Sequence, residues 1–114
     1  GKAVVYEVDV AINQDLKALF PKPVLATQYL YFWFQYHEQS IDELGSGSTV
    51  KGISLPDLKK IEFQLPPRPE QTAIAAILSD MDTEIAALET RLAKTRSLKR
   101  GMMHNLLSGK IRLL

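Results

Sequence analysis

Apolar residues in the second half of the chain return at alternating spacings of four and three: Ile74, Leu78, Met81, Ile85, Leu88 and Leu92. This is the a/d seam of a heptad repeat, the spacing that keeps one stripe of a helix turned toward a partner helix. The surrounding stretch, from about Pro69 to Ser108, has no proline after Pro69 and no glycine before Gly101, and it predicts one long helix. At 1.5 Å per residue, roughly 40 residues make a rod of about 60 Å. The residues ahead of Pro69 are too few to cover such a rod, so its stripe is expected to meet a partner outside the chain. Thr95 and Lys99 take the next two seam positions and weaken the strict repeat. Leu98, Met102 and Leu106 resume an apolar stripe, displaced slightly round the helix, as a plain helical period would place it.

Ahead of the rod the pattern changes. Val4, Tyr6, Val8, Val10 and Ile12 alternate with Val5, Glu7, Asp9 and Ala11, a period of two that predicts a half-buried strand. Ile61, Phe63 and Leu65 predict a second, shorter strand, stopped by Pro66 and Pro67. Between them, Asn13 to Leu19 suits a short helical turn. Gln28 to Leu44 predicts a helix with Thr27 as its N-cap. Its aromatic residues, Tyr29, Tyr31, Phe32, Trp33, Phe34 and Tyr36, read as core rather than as platforms for bases, and His37 reads as structural. Ser54 opens another short turn, with Asp57 placed for a capping box. Gly109 suits the residue that ends the rod.

Charge adds an orientation. From Pro69 to Thr90 the ionised residues are Glu70, Asp80, Asp82, Glu84 and Glu89, all acidic. From Arg91 onward they are Arg91, Lys94, Arg96, Lys99, Arg100, Lys110 and Arg112, all basic. The helix dipole favours this order only within a turn of each end. A partner running the other way accounts for the rest, because antiparallel pairing sets the acidic half of one helix beside the basic half of the other.

Composition narrows the function. The chain has 114 residues, 46% of them hydrophobic and 24% charged, as in an ordinary soluble domain. It contains no cysteine, which excludes disulfides, thiol chemistry and zinc–cysteine sites, and fits a cytoplasmic protein. No apolar run is long enough to span a membrane. Starting at Gly1 directly before a strand-like run, it reads as a piece of something longer. A net charge of +1 neither demands nor excludes nucleic acid. No nucleophile–base pair or metal-spaced cluster is evident, so an enzyme and a cofactor are not expected. The loop Gly45 to Gly52 lacks the P-loop pattern, but Ser46, Gly47, Ser48, Thr49 and Lys51 are candidates to approach a phosphate backbone. Gly101, inside the rod, suggests close approach of another helix, with Met102 and Met103 offering adaptable packing.

Two segments, GSGSTVKGISLPDLKKIEFQLPPRPEQTAIAAIL and LKRGMMHNLLSGKIRL, together resemble the specificity subunit of type I restriction-modification enzymes. The resemblance rests on a Gly-Ser-Thr loop, a strand-like run ending in Pro-Pro, Glu-Gln opening a long helix, and an ending with Lys99, Gly101, Met102, Met103, Leu106, Leu107, Gly109, Lys110, Ile111, Arg112 and Leu113. It covers Gly45 to Leu114 well and Gly1 to Leu44 loosely. It implies a subunit that reads a split target on double-stranded DNA, whose long helices pair antiparallel as a ruler and dock methyltransferase subunits. Those other subunits bind S-adenosylmethionine, and a translocating nuclease subunit joins the complex for cleavage. The specificity subunit itself would catalyse nothing.

The expected fold is therefore α+β: a small partial α/β recognition domain over residues 1–68, a long helix over 69–109 that pairs as an antiparallel coiled coil, and a tail over 110–114. Ile74, Leu78, Met81, Ile85, Leu88, Leu92, Leu98, Met102 and Leu106 are the expected dimerisation residues, and Glu84 and Arg91 the expected docking residues for methyltransferase subunits. The expected partners are DNA, those subunits, the nuclease subunit and a second copy of the chain. A purely structural coiled-coil scaffold, without DNA binding of its own, is the alternative.

Overall fold

A computed structural model describes residues 2–12, 16–44 and 55–114 of the chain. Among the described residues, four helices follow in order: α1 (Thr27–Tyr36), α2 (Glu38–Leu44), α3 (Leu55–Lys59) and α4 (Arg68–Leu107). By their contacts the residues divide into two compact units, Gly1–Leu78 and Ser79–Leu114.

The α+β expectation is overturned: there is no strand among the described residues. Residues 2–12 are chain without ladder pairing. The face expected to be buried stays in solvent, with Val4 at 68%, Tyr6 at 62% and Val8 at 72% exposure. Ile61 and Phe63 are half-buried and Glu62 and Gln64 exposed, so the alternation is real there, yet that run too stands outside any sheet. Period-two patterning marks a segment that can turn one side inward. A strand also needs backbone N–H and C=O groups on a neighbour.

In the first unit the predicted helix over Gln28 to Leu44 is divided at His37, whose backbone (φ −98°, ψ 14°) leaves helical geometry. Its N–H and ring Nδ1 both approach the Trp33 carbonyl, at 3.1 and 2.9 Å. The N-cap is Ala26, not Thr27, and its own side chain makes no capping hydrogen bond. Tyr29 to Phe34 are each half-buried rather than enclosed. Trp33 stacks with His37 (centroids 4.1 Å apart) and with Phe63 (4.4 Å), which fastens α1 to the extended run before α4. Among the described residues, Ala26, Ile41 and Ala75 supply the buried apolar positions.

The long predicted helix is present as α4, 40 residues without a break. Its C-terminus is closed as expected by Gly109, which takes φ +80°, a backbone state that costs glycine little. The chain then folds back so that the Ile111 N–H donates to the Asn105 carbonyl at 3.1 Å. Among the described residues, no helix is long and apolar enough to cross a membrane.

Candidate functional site

Two surfaces on α4 carry the chemistry, one buried in the first unit and one bare in the second. The buried one is built on Gln71. This side chain has no solvent exposure and is the one buried polar residue among those described. Its Oε1 accepts from the Ala26 N–H at 2.7 Å, and its Nε2 donates to the carbonyls of Val24 (2.9 Å) and Pro66 (2.8 Å). The Ala26 N–H is one of the donors that the start of α1 leaves unpaired, so Gln71 caps α1 from a distant part of the chain. One turn earlier, the Arg68 guanidinium donates to the Pro23 carbonyl. Together the two residues hold the 23–26 segment against the first turn of α4. Sequence reasoning takes Gln71 only as part of a motif. The missed signal is its register: it lies seven residues before Leu78, at a seam position where a polar side chain needs buried partners.

The bare surface is the seam beyond the first unit. Met81, Ile85, Leu88 and Leu92 are each about half exposed, between 49% and 55%. Met102 (49%) and Leu98 (61%) are similar, while Ile74, Leu78 and Leu106 are half-buried. From Met81 to His104 every residue of α4 is exposed. Glu84 and Arg91, the expected docking residues, are seven residues apart and therefore share a face. Each directly precedes a seam residue, Ile85 or Leu92, so they flank the stripe rather than oppose it.

The α4 charges are arranged so that they cannot pair along the helix. None of Asp80, Asp82, Glu84 or Glu89 has a basic residue three or four positions away. Neighbours at one or two positions do not face each other on a helix. The Thr83 and Thr90 hydroxyls instead donate to the Ser79 and Ala86 carbonyls one turn back. At Gly101, no atom lies within 4 Å of where a Cβ would sit, so nothing in the chain itself requires glycine there.

The candidate phosphate contacts, Ser46, Gly47, Ser48, Thr49 and Lys51, all lie outside the described residues, as do Ser54 and the first part of the 13–19 run. Among the described residues no cluster of histidine, aspartate and glutamate could hold a metal ion.

Comparison with known proteins gives a consistent result. Residues 1–95 match the family model described as Type I restriction modification DNA specificity domain. The chain is 34% identical over 85 residues, 75% of its length, to a Methanocaldococcus jannaschii protein provisionally named type I restriction enzyme MjaX specificity subunit, of which it covers 20%. It is 29% identical over 84 residues to the MjaIX specificity subunit of the same organism (72% of this chain, 19% of that protein). With the MjaVIII specificity subunit it shares 30% identity over 78 residues (68% and 18%). The chain thus spans about a fifth of the length of the curated relatives it matches. No solved structure matches it.

Proposed function

The chain belongs to the family of type I restriction modification DNA specificity domains, and from that premise we propose that it is a DNA sequence-recognition component of a type I restriction-modification system. It reads double-stranded DNA, pairs its long helix antiparallel with a second copy, and docks methyltransferase subunits, through which a nuclease subunit joins. It contributes recognition and assembly, and the catalysis belongs to the other subunits.

The observation that carries the assembly part is the exposed seam. Four large apolar side chains, Met81, Ile85, Leu88 and Leu92, stand half in solvent on one stripe of α4. Full burial of such a side chain is worth roughly 1.5–3 kcal/mol, so the exposed halves of these four, counted on two chains, offer a gross gain of several kcal/mol on pairing. The same stripe left open would favour unspecific association. Polarity favours the antiparallel orientation, since the acidic stretch over Asp80 to Glu89 then lies beside Arg91 to Arg100 of the second copy. Glu84 and Arg91, at the margin of the stripe, are the proposed contacts to methyltransferase subunits.

For DNA, the proposed contacts are the main chain and hydroxyls of Ser46, Gly47, Ser48 and Thr49 and the ammonium of Lys51. Duplex binding measured by fluorescence anisotropy across a salt series tests this reading. Affinity should fall steeply as salt rises, because each phosphate contact releases counterions. Undetectable binding at low salt would reduce the chain to a coiled-coil scaffold without DNA binding of its own.

A further inference from the structure

We propose that Lys99 sets the register of the paired helices: its ammonium meets the carboxylate of Asp82 on the second copy. This rests on the antiparallel pairing proposed above and specifies how the two helices align. Ile74, Met81, Leu88, Thr95 and Met102 occupy one seam position of the heptad, and Leu78, Ile85, Leu92, Lys99 and Leu106 occupy the other. The stripe therefore does not shift after Leu92. Met102 and Leu106 remain in step, and Leu98 alone stands beside it. The seam runs in one register from Ile74 to Leu106, interrupted only at Thr95 and Lys99.

In an antiparallel pair, residues of one series pack across from residues of the other. One alignment sets Leu88 across from Leu92 beside the two-fold axis. Ile85 then meets Thr95, Met81 meets Lys99, Leu78 meets Met102 and Ile74 meets Leu106, and no apolar seam residue overhangs. Sliding by a heptad in one direction sets Met102 against Gln71, which is already buried and bonded to Val24, Pro66 and Ala26. Sliding in the other carries Ile74 and Leu78 past the end of the partner helix at Leu107.

Charge excludes the first slide and is met at Lys99 in the proposed alignment, which also sets the two Glu89 carboxylates near each other across the two-fold axis. Lys99 then lies beside Asp82 of the second copy, and Arg96 on the same edge reaches that carboxylate too. The first slide sets Lys99 beside Ala75, which is 6% exposed and offers no charge. The second offers Glu89 but loses the Ile74 and Leu78 layers. A lysine in an apolar seam weakens association and is tolerated where it discriminates between registers. Gln71, seven residues before Leu78, is a further polar residue in this register and finds its partners within its own unit. Lys99 is exposed in the single chain, as is Asp82.

The absence of cysteine makes any introduced thiol unique. The proposed alignment brings position 89 of each copy close to its counterpart, so Glu89→Cys should oxidise readily to a disulfide dimer. Ile85→Cys, which would self-pair in a parallel coil, should not. Lys99→Leu should tighten self-association about tenfold and lower the Glu89→Cys cross-linking yield as slid alignments become populated. Asp82→Lys should weaken association about tenfold, and adding Lys99→Asp should restore it. Circular dichroism reports whether each variant keeps its helix. Failure of Glu89→Cys to cross-link in a chain that still sediments as a dimer would overturn the register while leaving the pairing intact. Unchanged cross-linking with Lys99→Leu, together with no rescue by the double charge swap, would overturn the role of Lys99. A native chain that stays monomeric at micromolar concentration would overturn the pairing itself.

Discussion

The first three turns of α4 and the remainder of the helix share one heptad register and opposite fates. In the first stretch, Gln71 is fully buried, Ala75 is 6% exposed, and Ile74 and Leu78 are half-covered. In the second, Met81, Ile85, Leu88 and Leu92 repeat the same spacing with about half of each side chain in water. The stripe is the same, but its beginning is covered by neighbours inside the first unit and its continuation is exposed. A seam is therefore a statement about what a helix can bury, and the surroundings decide whether its own chain or another one does so. Substitutions in the two stretches should accordingly report on different processes, folding in the first and association in the second.

The largest separation is expected from Ile85→Glu combined with Leu88→Glu. Self-association should weaken at least a hundredfold, since each 1.4 kcal/mol is a factor of ten. The fluorescence of Trp33, the single tryptophan of the chain, should stay native because it lies in the first unit. A change in its emission would mean that the two stretches are not energetically distinct. The converse substitution is Gln71→Ala. It removes three hydrogen bonds and leaves the Ala26 N–H and the Val24 and Pro66 carbonyls unpaired. The first unit should lose roughly 2–4 kcal/mol of stability, read by denaturant titration of Trp33 emission. Gln71→Glu should cost no less, because it turns an acceptor toward two carbonyls that now receive N–H donors.

Smaller effects sharpen the comparison. Gly101→Ala meets no atom within 4 Å in the single chain, so it should stabilise α4 by about 1 kcal/mol in thermal melts of the seam-disrupted monomer. If association of the otherwise native chain weakens with the same substitution, a helix of the second copy approaches closely at that point. Lys51→Ala should reduce the slope of log affinity against log salt by about one unit, uniformly across DNA sequences. An unchanged slope would take Lys51 out of the DNA interface.

Much of this architecture is legible in the amino-acid sequence. The long helix can be read because a seven-residue pattern without proline has few other conformations available, and Gly109 marks its end. The exposed seam follows from length alone. The sheet is where the reading fails. Val4 to Ile12 and Ile61 to Leu65 have the composition and period of strands, but pairing depends on a neighbour that local sequence does not encode. The Gln71 contacts escape for a related reason: a polar residue in a seam announces a buried partner but not which backbone groups supply it. The break of the aromatic helix at His37 is a local departure of one residue's backbone from helical φ and ψ, which no periodicity registers.

A second copy of this chain is the proposed cover for the exposed stretch of α4. Sedimentation equilibrium at micromolar concentration tests it most directly. The native chain should sediment at twice 12.8 kDa, falling to the single value for Ile85→Glu with Leu88→Glu. A native chain that sediments at the single mass would contradict it.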